Sequence, residues 1–239
     1  PMQQFFEVGQ VYPEYITDLT VLICPSAVGG ATPETRWDQG ETTSPYWREW
    51  AGSNNGEVEL CEVGDYPYTY SGFAITASMV DTAEGADALN ENIFNEPDGF
   101  GPRIAADPSV VHEDWPVVVE GSGTGGSDAI LRLRDGVERF FITNINDPAA
   151  STVGQSQVPV MWDVICDEAS HYNHVPGGAN VLYMDGHVDF VRWPGAEGPN
   201  GSWVHPYLEL ALPLGGEYPL NAGGMILHEA THQYGALVP

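Results

Sequence analysis

The segment Asn180-Val181-Leu182-Tyr183-Met184-Asp185-Gly186-His187-Val188-Asp189-Phe190-Val191 constrains the fold more than any other part of the chain. Asp185-Gly186 separates two runs that alternate as strands do, a setting that favours a two-residue hairpin with both central residues at positive φ. Upstream, the dense apolar run from Val158 to Ile165 reads as a central strand. Tyr66, Tyr68, Tyr70 and Phe73-Ala74-Ile75-Thr76 alternate as a further strand, and Val11–Ile16 followed by Leu19–Ile23 reads as another, closed by Pro25. Two helices are expected. One runs from Asp81 to Asn95 with Ala88, Leu89, Ile93 and Phe94 inward. The other is capped by Ser127 or Asp128 and runs to Phe141 along a stripe of Ile130, Leu133, Val137 and Phe140 or Phe141.

Two stretches are expected to be loops. Gly121-Ser122-Gly123-Thr124-Gly125-Gly126 superficially resembles a phosphate cradle, but no Gly-Lys-Ser/Thr follows, so it reads as a flexible loop leading into a helix cap. Between Ser26 and Glu57, Trp37, Trp47 and Trp50 are interleaved with Gly, Pro, Thr, Ser and Asn. Such aromatics pin a long loop to a core, and a carbohydrate-binding platform is the sharper alternative.

With 239 residues the chain can bury a real core, as one domain or one domain with appendages. Its charge narrows the partners. Against 34 acidic residues stand 7 basic ones, a net of −27. A surface of that sign repels nucleic acid and anionic membrane and attracts cations. Calcium is the candidate cation because it prefers clustered carboxylate and carbonyl oxygens, although no DxDxDG loop occurs. The basic residues are all arginine, and Arg132, Arg134 and Arg139 are expected to pair with carboxylates. No run approaches the roughly 18 apolar residues of a membrane helix. Pro1-Met2-Gln3-Gln4 has no secretory signal character and reads as the start of a processed or trimmed piece.

Three further features carry chemistry. Cys24 and Cys61 are expected to form a disulfide in an oxidising compartment, leaving Cys166 as the odd thiol. His228-Glu229-Ala230-Thr231-His232 spells the HExxH pattern, in which two histidines one helical turn apart hold zinc and the glutamate acts as base. Its context argues against a peptidase: seven residues follow His232, with no third ligand among them, and Gly223-Gly224 leaves little helix ahead of it. A two-histidine metal clip between subunits fits His228, Glu229 and His232 better. No serine, cysteine or paired-carboxylate constellation with activating partners stands out.

The block HYNHVPGGANVLYMDGHVDFVRWPG, from His171, resembles the H-X9-DG signature of a large bacterial family of pseudopilin-like proteins. Ten residues separate His174 from Asp185-Gly186 here, one more than the signature names. YPEYITDLTVLICPS, RLRDGVERFFITNINDPAAS and QSQVPVMWD also resemble that family, in family order, from about Pro13 to Gly195. The resemblance implies an α+β fold, an antiparallel β-sheet head with packed helices and long loops, joined to a hydrophobic N-terminal helix that this sequence lacks. It divides the chain into a head over 1–195 and a C-terminal extension over 196–239.

On this reading Asp185-Gly186 makes the turn, with His187 beside it, and His174 bonds a neighbouring loop as a neutral imidazole. A metal or catalytic site made by His174, Asp185 and His187 together is the sharper alternative. The expected function is that of a non-enzymatic, extracellular or cell-surface structural protein. It would self-associate into a filament, tube or other surface assembly, aided by divalent cations. The competing classes are a zinc-dependent hydrolase using His228, Glu229 and His232, and a carbohydrate- or surface-binding module using the tryptophans.

Overall fold

A computed structural model describes residues 6, 8–27, 32–38, 54–63, 67–76, 79, 83–137, 155–156, 158–163, 173–174 and 178–192. His228, Glu229, His232, Trp47, Trp50, Arg139, Cys166 and the extension over 196–239 lie outside them.

The fold is mixed α+β with antiparallel sheets. Strands β1 (Tyr68–Tyr70), β4 (Pro159–Asp163), β5 (Gly178–Tyr183) and β6 (Val188–Arg192) form a four-stranded sheet in the order β1-β4-β5-β6, and β2 (Trp115–Pro116) pairs with β3 (Ala129–Ile130). The apolar run around β4 is therefore interior to its sheet, as its composition predicts. Pro159 cannot donate to a ladder; it sits at the first position of β4, where the pairing with β5 carries a bulge.

The β5–β6 hairpin forms where the alternation predicts, with Leu182 opposite Val188, but its turn differs. Gly186 N donates to Tyr183 O at 2.9 Å and Tyr183 N to His187 O at 2.9 Å. Gly186 has φ +89° and no non-glycine residue has positive φ among the described residues. The loop is thus three residues, Met184-Asp185-Gly186, a turn followed by a glycine bulge. Asp185 stays at negative φ and only the glycine adopts the left-handed conformation.

Three helices pack around these strands: α1 (Pro33–Trp37), α2 (Ala83–Phe94) and α3 (Phe100–Ala106). α2 matches the expected helix and buries Leu89 and Ile93, while α3 buries Phe100 and Ile104. Phe100 stacks on Trp115 at 4.3 Å between ring centroids, and Phe73 meets both rings edge-on at 5.3 and 5.8 Å. Asn92 of α2, fully buried, ties this aromatic core to the β2–β3 loop. Its Oδ1 accepts from Val118 N and Val119 N at 2.8 and 2.9 Å, its Nδ2 donates to Ser122 Oγ, and its carbonyl accepts from Trp115 Nε1.

Two expected elements are absent among the described residues. Residues 11–23 are turns and a short 3-10 helix at Leu19–Leu22 where a strand is expected; Asp18 caps that helix by accepting from Thr20 N at 2.8 Å. Over the described residues 128–137, β3 and a turn at Asp135-Gly136 stand where the helix to Phe141 is expected, and residues 138–141 lie outside the described residues. Asp128 Oδ1 turns back to Gly121 N at 2.9 Å, and Thr124 Oγ1 bridges Ala74 O and Leu131 N, so the glycine-rich stretch is a bonded loop between β2 and β3. Arg134 pairs with a carboxylate as expected, reaching both oxygens of Asp114 at 2.8 and 2.7 Å.

Trp37 is fully buried with Val8, Leu22, Ile23 and Val63. It belongs to the core and is unavailable to a carbohydrate platform. Beside this core lies Glu62, also fully buried, with Oε2 accepting from Glu59 N at 2.8 Å. Burial pushes its carboxyl up, and the neighbouring Glu59 and Asp38 carboxylates add to the rise against the pull of the Glu59 backbone bond. For an acid shifted up in the folded state, the stabilisation is fully present below the unfolded value. It is lost as pH rises through the folded one. Glu62→Gln keeps the acceptor and removes the charge, so its melting temperature at pH 7 is expected to exceed that of the parent by about 2–4 °C, with the gap closing toward pH 4. A lower melting temperature at pH 7 contradicts this.

Candidate metal centre

Cys24, Asp163 and His174 come together from three places in the chain. Cys24 follows the 3-10 helix at Leu19–Leu22, Asp163 ends β4, and His174 lies in the segment before β5. Hydrophobic packing of Leu22 and Ile23 beside Trp37 carries Cys24 to the sheet. Asp163 stands opposite Tyr68 of β1, and Asp163 and Cys24 are both buried, at 1% and 2% exposure. His174 Nε2 lies 3.2 Å from Asp163 Oδ2 and 3.5 Å from Cys24 Sγ. The three ligand-type atoms are all within 4.8 Å of one another.

Two asparagines fix the carboxylate. Asn180 donates to Asp163 Oδ2 through its backbone N at 2.7 Å and its Nδ2 at 2.9 Å, while Asn173 Nδ2 donates to Oδ1 at 3.2 Å and to Pro67 O. Asn180 Nδ2 also lies 3.2 Å from His174 Nε2. Asn173 Oδ1 is buried with no hydrogen-bond partner among the described residues. Burial pushes the Cys24 thiol up, and the Asp163 charge pushes it further. Burial likewise drives the Tyr68 hydroxyl up to about 12, with Cys24 and Asp163 contributing.

These facts limit the chemistry. A Cys–His–Asp relay needs the thiol on one imidazole nitrogen and the carboxylate on the other. Here both face Nε2, so the geometry is not that of such a relay. Three different donor types within 4.8 Å of one another are a group that could hold a metal ion.

Cys24 is a free thiol, so the Cys24–Cys61 disulfide expected from the sequence is not formed. The physical reason is its packing: its sulfur faces His174 and the end of β4. His174 does bond a neighbouring element, but it does not converge with Asp185 and His187. It precedes β5, whereas Asp185 and His187 follow it, at the opposite end of the hairpin. There His187 Nδ1 bonds Asp185 Oδ1, His187 N donates to the same oxygen at 3.1 Å, and the imidazole stacks on Tyr183 at 4.5 Å. The backbone bond from His187, followed by its side-chain bond, holds the Asp185 carboxyl below its ordinary value. Asp185, Gly186 and His187 thus form a self-contained turn, and His174 belongs to a different cluster.

Comparison with protein-family models, with curated proteins and with solved structures finds no match to this chain.

Proposed function

We propose that this chain is a structural subunit of an extracellular surface assembly, a filament or tube, carried by a pseudopilin-like head and with no catalytic role. The observation that carries the proposal is strand β6. It pairs on one side only in the described sheet, and Val188 and Phe190, two residues apart and so on one face, are 57% and 46% exposed. An edge with open backbone groups and apolar side chains is a template for a neighbouring chain, and soluble proteins commonly blunt such edges with lysine. This chain has no lysine. The resemblance of the His174–Gly186 block to the pseudopilin-like signature supports the same reading.

A net charge of −27 per subunit opposes assembly, and divalent cations reduce that repulsion. Electron microscopy of concentrated protein in calcium is expected to reveal filaments or tubes, which a Val188→Ser, Phe190→Ser double variant abolishes or shortens. Regular assemblies unchanged by the double variant would rule out β6 as the contact; dispersed particles from the parent would rule out the function.

A further inference from the structure

We propose that Cys24, Asp163 and His174 bind one zinc-class divalent ion, which fastens the N-terminal segment to the sheet. The inference is independent of the assembly reading. It rests on the match between the cluster and a coordination shell. With Zn–S of about 2.3 Å and Zn–N and Zn–O of about 2.0–2.1 Å, tetrahedral ligands lie about 3.3 Å apart for N and O and about 3.6 Å apart for S and N. Nε2 and Oδ2 stand 3.2 Å apart and Sγ and Nε2 3.5 Å. The third edge, from Cys24 Sγ to the Asp163 carboxylate, is within 4.8 Å.

The donor types choose the metal. Thiolate and imidazole suit zinc and its transition-metal neighbours, whereas calcium takes oxygen donors throughout, so the calcium expected from overall charge does not belong here. The surroundings are those of a metal site as well. Asn173 and Asn180 orient the carboxylate from behind, the outer-shell role that ligating carboxylates have elsewhere. A fourth donor comes from water. Binding forms a Zn–S bond and breaks the Cys24 S–H bond; the proton passes to solvent, and no oxidation or reduction occurs.

A bound ion links residues 24 and 174, which close a long loop, and ties both to the end of β4. It also neutralises a buried carboxylate in a chain with few cations. Binding to the folded state then raises stability by mass action.

The test uses the full chain loaded with cobalt(II) and, separately, with zinc. Expected are about one equivalent of zinc retained after desalting, and a near-ultraviolet thiolate-to-cobalt charge-transfer band. Both are lost in Cys24→Ser and retained in a His228→Ala, His232→Ala variant, which removes the HExxH histidines. Should Cys24→Ser fail to fold, a Cys61→Ser, Cys166→Ser variant takes its place and is expected to keep the full band. Failure of the parent to retain zinc, absence of the band, its survival in folded Cys24→Ser, or its loss in Cys61→Ser, Cys166→Ser overturns the proposal.

Discussion

Asp163→Ala is expected to lower the unfolding free energy by about 3–5 kcal/mol, measured by denaturant titration with a chelator present so that any bound metal is excluded. The size follows from the position of the carboxylate. It is 1% exposed, ends the interior strand β4, and accepts from Asn180 N, Asn180 Nδ2 and Asn173 Nδ2, with His174 Nε2 at 3.2 Å. Alanine removes the acceptor of both Asn180 donors and of one Asn173 Nδ2 hydrogen, the other still reaching Pro67 O, and the penalty for orphaning them exceeds the net worth of the bonds themselves. Asp163→Asn retains one oxygen for Asn180 and should lose about half as much. Equal losses for the two variants would mean that the negative charge, and not the acceptor geometry, holds the site.

Trp115→Ala is expected to lower stability by about 3–5 kcal/mol as well, through a different mechanism. Its indole is fully buried, stacked on Phe100 and met edge-on by Phe73, and its Nε1 donates to the carbonyl of Asn92. Removal opens a cavity between α3 and the β2–β3 pair and frees a buried carbonyl. Trp115→Phe refills much of the volume but loses the bond, so it should fall between alanine and the parent. A loss below about 1 kcal/mol for Trp115→Ala would show that the aromatic core collapses freely, against the close packing of these rings.

Much of this was legible in the chain. The hairpin of β5 and β6 follows from the alternation around Asp185-Gly186, α2 from the apolar positions Leu89 and Ile93, and β4 from its dense apolar run. The two elements that differ, at residues 11–23 and after Asp128, share one cause. Short polar side chains bonded their local backbone and overrode the apolar pattern: Asp18 bent residues 19–22 into a 3-10 helix, and Asp128 closed the β2–β3 loop instead of capping a helix. At Asp185, glycine alone carried the positive φ because a three-residue loop requires it at one position.

The juxtaposition of Cys24, Asp163 and His174 was hidden for a topological reason: the segment after a 3-10 helix, a strand end and a pre-strand segment supply one residue each, so they follow no local spacing. One signal was present: Asp163 interrupts the otherwise apolar run Val158–Ile165, and a carboxylate inside an interior strand requires dedicated partners.

Sedimentation velocity of the full chain over rising concentration, with and without calcium, tests the proposed self-association. The expected sedimentation coefficient climbs with concentration, climbs further with calcium, and returns to the monomer value in the Val188→Ser, Phe190→Ser variant. A single monomeric species at every concentration, with calcium present, would contradict it.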